Sequence, residues 1–225
     1  MRAAALALLC WPALAAGQDV VVIGEIHDNP RHHLNQARIV AEVNPSALIF
    51  EMLTSAQVEG AAGVDRTDET ALGAALGWDG TGWPHFSDYW PIFEAGPDAV
   101  LYGAAVPPPD LHVAMDDGAL AAFGEGALDY GLGPLPPEAQ ASMEARLADA
   151  HCGALPEDLI PRLVEAQRLR DAAFARTVLE ALDETGGPVV LIAGTGHAST
   201  EDGVPAILVR VRPGVSVRAI GQVEG

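Results

Sequence analysis

Four short apolar runs punctuate the chain: VVVIG at 20–24, ALIFE at 47–51, DAVLYGAAV at 98–106 and PVVLIAG at 188–194. They are hydrophobic throughout, not alternating, and glycine, glutamate or proline closes each. Runs of this kind read as strands buried on both faces. Helical spacing fills the gaps. Asn29-Pro30 opens the first helix, with Asn as N-cap and Pro at the first position, and it runs to about residue 43. Residues 55–79 are helical but loosely patterned, and GTGWPHFSDYWPIF at 80–93 is aromatic and irregular. Residues 111–155 are helical, broken by Gly and Pro, and a long helix covers 159–184. The segment AILVRVRPGVSVRAIG at 206–221 alternates and predicts one or two strands, an edge hairpin. Strands alternating with helices predict an α/β fold: a mainly parallel sheet with helices on both faces and a helical insertion over about 107–185.

Length and charge narrow the class. The 225 residues suit one domain. The start, MRAAALALLCWPALAAGQ, reads as a signal peptide over 1–16: Arg2, an apolar stretch, then Ala13-Leu14-Ala15 before the cleavage point. The domain then spans 17–225 and the protein is expected to be exported and periplasmic. Leu9 stands before Cys10 where a lipidation signal wants a small residue, so a lipid-anchored form is the lesser expectation. The chain has no lysine, and losing Arg2 moves its net charge from −19 to −20. Such a field repels nucleic acid and anionic lipid. Cys152 is the single cysteine outside the leader, which rules out an intrachain disulfide there. As a nucleophile it would need a histidine opposite it in space, which the adjacent His151 does not provide.

Chemistry gathers at strand ends. In open parallel sheets ligands bind outside the carboxyl ends of the strands. The first strand leads into Glu25 and His27, the second ends at Glu51, and the fourth runs through Gly194 and Gly196 to His197. Glu-x-His, Glu and Gly-x-Gly-His after three hydrophobic strands form a convergence, not scattered loop residues. His33 shares a helix face with Ala37, Val40 and Ala41, which should pack on the sheet, whereas His32 points toward Ile39 and Val43. In the long helix, Gln167 and Asp171 interrupt an apolar stripe at i, i+4 spacing. They need either a polar core network or a ligand pocket. Trp78, Trp83, His85, Phe86, Tyr89, Trp90 and Phe93 form either a small core under a loop or a flat wall for a conjugated ligand, with Tyr89 as polar handle.

The motifs VVVIGEIHDNPRHH, IFEM, DYWPIF, AQRLRDAAFA and LIAGTGHASTEDGVPAIL, in that order, resemble the ChaN-like haem-binding family of bacterial lipoproteins and periplasmic proteins. The resemblance covers about residues 20–210. Gly196, His197, Gly203, Val204 and Pro205 belong to its most specific part. It implies haem binding in iron uptake, a homodimer enclosing haems face to face, haem-transport components as partners, and a tyrosine as iron ligand. Of Tyr89, Tyr102 and Tyr130, Tyr89 is placed first and Tyr130 second, because Tyr102 falls in a predicted buried strand. Arg170 or Arg31 would pair with the propionates. The cofactor-binding set is Glu25, His27, His33, Glu51, Tyr89, Gln167, Asp171 and His197. The same family lies in a wider erythromycin esterase/TIKI-like group whose Gly-Glu-x-His and Gly-x-x-His motifs serve hydrolases. That implies an alternative: a metal-dependent hydrolase in which Glu25, His27, Glu51 and His197 hold a divalent ion or move protons. No Gly-x-Ser-x-Gly elbow supports a serine hydrolase.

Overall fold

The computed structural model describes residues 17–224. The leader expected at 1–16, with Cys10, lies outside them. Five strands form one all-parallel sheet: β1 (Val20–Glu25), β2 (Ala47–Phe50), β3 (Val100–Gly103), β4 (Val189–Gly194) and β5 (Val217–Ile220), in the order β3-β2-β4-β1-β5. The fold class is α/β. Residues of β1, β2 and β4 are buried on both faces, which is why these strands read as unbroken apolar runs.

The two faces carry separate cores. On one, Val21, Ile23, Leu48, Phe50, Val190 and Ile192 meet α1 (Pro30–Val43), α3 (Glu69–Ala75) and α4 (Phe86–Ala95). On the other, Val20, Val22, Ile49, Leu191 and Ala193 meet α5 (Pro108–Asp117), α6 (Ala119–Phe123), α8 (Ile160–Thr185) and α9 (Val204–Val211). Asn29 caps α1, its side chain accepting from the Arg31 N–H, and Pro30 occupies the first turn. Thr54 and Gln57 form a capping box on α2 (Ser55–Gly60). The helix α7 (Pro137–Ala150) has no buried residue; Arg146 ties it to Asp202 in the loop after β4. Among the described residues, no helix is long and apolar enough to cross a membrane.

Two elements differ from their sequence patterns. Much of the stretch 80–93, expected to be irregular, is helical: α4 starts at Phe86 and runs to Ala95 despite an internal Pro91. Proline costs about 3 kcal/mol inside a helix. Burial of Phe86, Tyr89, Ile92 and Phe93 offsets it, with Phe93 stacked on Phe50 at 4.3 Å. The hairpin expected at 206–221 is a helix followed by one strand. Pro205 opens α9, and Val204, Ile207 and Leu208 are buried while Val209 and Arg210 are exposed, a helical pattern despite the β-branched composition. β5 then pairs in parallel with β1, which a hairpin connection would not permit.

Alanine at two glycines separates packing from propensity. At Gly103 a Cβ would come within 2.4 Å of the Thr54 carbonyl, whereas at Gly60 nothing lies within 4 Å. Gly103→Ala should destabilise the fold by about 1–3 kcal/mol, and Gly60→Ala should stabilise it by up to about 1 kcal/mol. Urea denaturation reads both signs.

Candidate functional site

The strand order sets the site. β4 lies between β1 and β2, so its last residue, Gly194, stands beside Glu25 in register and below Glu51. The Glu51 N–H extends the β2–β4 ladder to the Ile192 carbonyl, and the Gly194 N–H donates to Glu51 Oε2 at 2.7 Å. Two carboxylates therefore flank one glycine at the carboxyl edge. A Cβ on Gly194 would come within 3.0 Å of His27 Nε2, so the position keeps room for that ring.

The first half of the site is built on Glu25, which is almost wholly buried. Its Oε1 accepts from the Tyr89 hydroxyl at 2.6 Å and meets His27 Nδ1 at 2.8 Å. His33 Nε2 stands 3.5 Å from Oε2, and the His33 ring leans on Tyr89 with centroids 4.0 Å apart. Burial pushes the Glu25 carboxyl up, but the hydrogen bonds from His27 and Tyr89 and the nearby His33 ring outweigh it and the net direction is down. For His27, burial favours the neutral ring, but the Glu25 hydrogen bond and the Glu51 charge carry its pKa above the ordinary value. The His27 side chain is 34% exposed and packs edgewise on Trp83. His32 is buried as well as His33; its Nδ1 accepts from the Ile26 N–H at 3.0 Å and fixes the turn after β1.

The second half centres on His197, which follows β4. Nδ1 lies 2.6 Å from Asp171 Oδ1 and 3.0 Å from the Gln167 amide, and Nε2 lies 3.4 Å from Glu51 Oε1. The Gln167–Asp171 pair in the apolar stripe of α8 thus meets this imidazole. Burial pushes the Asp171 carboxyl up, and His197 offsets that only in part. Among the described residues, no three His, Cys, Asp or Glu side chains are disposed to hold a metal ion. What the arrangement offers is two imidazoles, each oriented through Nδ1 by a carboxylate, with their Nε2 atoms over Gly194 and Glu51.

Above this floor opens a cleft of about 790 Å³, with a second opening of about 780 Å³ beside it. Both are lined by His27, Leu147, His151, Gln167 and His197, so the end of α7 stands where the two meet. Apolar walls come from Met52, Val106, Pro107, Leu111, Leu163 and Phe174. Arg170 lines the cleft, whereas Arg31 is exposed on α1 and lines neither opening. The aromatic segment is a small core: Trp78, Tyr89 and Phe93 are fully buried, and Trp83 alone of its rings lines the cleft. Tyr89, expected as the haem-iron ligand, lines neither opening. Its hydroxyl has no exposure, is committed to Glu25, and is pushed up strongly by burial and by the Glu25 charge, away from the phenolate form. Arg170 was in view in the sequence; the cleft position of His151 and Leu147 was not, because only tertiary docking of α7 places them there.

These features define an α/β protein with charged groups collected at the carboxyl edge of a parallel sheet, beneath an apolar cleft. The chain belongs to the family described as haem-binding uptake, Tiki superfamily, ChaN, whose model matches residues 12–208. The structure is similar to that of ChaN of Campylobacter jejuni, described as showing cofacial haem binding, with a TM-score of 0.63 and 20% sequence identity over 92% of this chain and 84% of that one. No curated protein matches the sequence.

The buried charges give a pH profile. Burial pushes the Glu51 carboxyl up, but the charge and hydrogen bond of His197 dominate and bring it down to about 2. Such a group adds stability above its ordinary value of 4.5 and loses it as pH falls toward 2. Burial pulls His197 down, but Glu51 and Asp171 raise it to about 10. It adds stability in full below 6.5 and loses it as pH rises through 10. Glu51→Gln should therefore cost most between pH 4.5 and 6.5, by about 1.5–3 kcal/mol. Thermal melts across pH should show the gap from wild type shrinking at both extremes; a constant gap would refute the assignment.

Proposed function

We propose that this chain binds haem in the cleft above the carboxyl edge of its sheet, as an exported protein of bacterial iron uptake or haem handling. The observation that carries the reading is the pairing of an apolar cleft with an uncommitted cation. A porphyrin offers a flat apolar face and carboxylate tails, and the cleft is of ligand size and walled by Val106, Pro107, Leu111, Leu163 and Phe174. Arg170 lines it without an ion pair to any described residue. In a chain of net charge −19, a free guanidinium on a cleft wall is a natural partner for propionates. The residues present fit the group. Bound haem would supply the iron; the chain's part is to shelter the ring and pair its carboxylates. A homodimer, as cofacial binding in the Campylobacter protein suggests, would close the open side, and haem-transport components would deliver or receive the ligand.

A second reading rests on the oriented imidazoles. His27 and His197, each held through Nδ1 by a carboxylate, form a pair suited to proton transfer in hydrolysis. Metal analysis of the purified protein and assays with ester and peptide substrates test it.

Arg170 and Arg31 separate in the haem reading. Arg170→Ala should weaken hemin binding by about tenfold to a hundredfold, the worth of a hydrogen bond between charged groups. Arg31→Ala should leave it unchanged. Hemin titration by absorbance measures both, and equal affinities in wild type and Arg170→Ala would remove Arg170 from the site.

A further inference from the structure

We propose that the haem iron is ligated in this chain by a histidine, His151 through Nε2, and not by a tyrosine. This rests on the haem-binding reading and concerns the same cleft.

Two tyrosine hydroxyls are committed elsewhere, and the third tyrosine lies off the cleft. Tyr89 is buried and donates to Glu25. Tyr102 donates to Glu184 at 2.6 Å, its hydroxyl pushed up to about 12 by burial and by that carboxylate, and it lines neither opening. Tyr130 packs on Phe123 with ring centroids 4.9 Å apart and lines neither opening either. The chain has three tyrosines, so no phenol faces the cleft.

The seven histidines divide sharply. His33 and His197 are buried, and His32 Nδ1 is taken by the Ile26 N–H. His85 and His112 line neither opening. His27 lines both, but its Nε2 rests against Gly194, close enough to touch a Cβ there. A ligand to haem needs open space for the whole porphyrin plane before its nitrogen. His151 has that space. It is exposed, follows the last turn of α7 and lines both openings. Its Nδ1 lies 2.8 Å from the Leu147 carbonyl. A carbonyl only accepts, so Nδ1 carries the hydrogen and Nε2 is left with its lone pair. An imidazole held through one nitrogen by a carbonyl, with the other free, is the usual arrangement of a metal-ligating histidine. Coordination joins that lone pair to the iron, with no change of oxidation state. Histidine also supports the ferrous state better than a phenolate does, so the site would hold haem across a wider range of potential.

The test is a hemin titration of the full chain, read by absorbance and electron paramagnetic resonance, in wild type, His151→Ala, Tyr89→Phe and Tyr130→Phe. Wild type should bind saturably with an imidazole-ligated spectrum. His151→Ala should shift the Soret band and weaken binding by about tenfold or more, and free imidazole should restore the wild-type spectrum. Both tyrosine variants should keep the wild-type spectrum. Because His151 is exposed, His151→Ala should melt like wild type, and imidazole rescue separates lost ligation from misfolding. A saturable wild-type complex with an unchanged spectrum in His151→Ala, or a phenolate band lost in Tyr130→Phe, overturns the assignment while leaving haem binding intact. Failure of wild type to bind saturably overturns both.

Discussion

The sheet edge is organised around three buried carboxylates. Glu25, Glu51 and Asp171 are each less than 10% exposed. An unpaired buried charge costs several kcal/mol, and losing one partner of a buried pair costs about 3–5 kcal/mol. The fold answers with imidazoles: His27 and His33 on Glu25, and His197 between Glu51 and Asp171. The strand order makes this possible. Only with β4 between β1 and β2 do the ends bearing Glu25 and Glu51 come together across Gly194. The histidines are thus required for charge balance before any ligand arrives, and their presence alone does not reveal which ligand the site serves.

Charge on the floor and apolar surface on the walls divide the labour. Most of the floor is paired internally: Tyr89 spends its hydroxyl on Glu25, and Asp171 its carboxylate on His197. What remains open to a ligand lies higher, on Trp83, Leu163, Arg170 and His151. A ligand held mainly by such surface must be largely hydrophobic, with few charged ends.

Much of this was legible in the chain, and the misses have physical causes. The buried strands and the caps of α1 were plain because β-branched runs and Asn-Pro are local signals. Glu25, His27, Glu51 and His197 could be picked out because a parallel sheet brings strand ends together. The segments at 86–95 and 204–211 were misread where tertiary burial overrode a proline and a β-branched composition. Tyr89 looked like a ligand because a tyrosine in an aromatic run gives no sign of direction; only the docking of α4 turns it onto Glu25. His151 carried little signal, since α7 buries no residue and its one weak stripe, through Met143 and Leu147, does not say what it packs against.

The helix α8 joins floor and walls, and this decides which substitutions can distinguish the readings. Gln167 and Asp171 reach down to His197, while Leu163, Arg170 and Phe174 line the cleft from neighbouring turns. The Phe174 ring itself leans on His197, with centroids 4.8 Å apart. Removing His197 or Asp171 strands a buried charge on the packed face of α8, and the helix relieves it by shifting or by taking in water. Either response moves the cleft wall. Haem binding and hydrolysis would then both fall, whichever was the native activity. Arg170 and His151 make no ion pair with the floor, and Arg170 acts on Asp171 only through its charge, so their loss leaves the floor's ion pairs in place. The informative residues are therefore those at the mouth, although the sequence draws the eye to the strand ends.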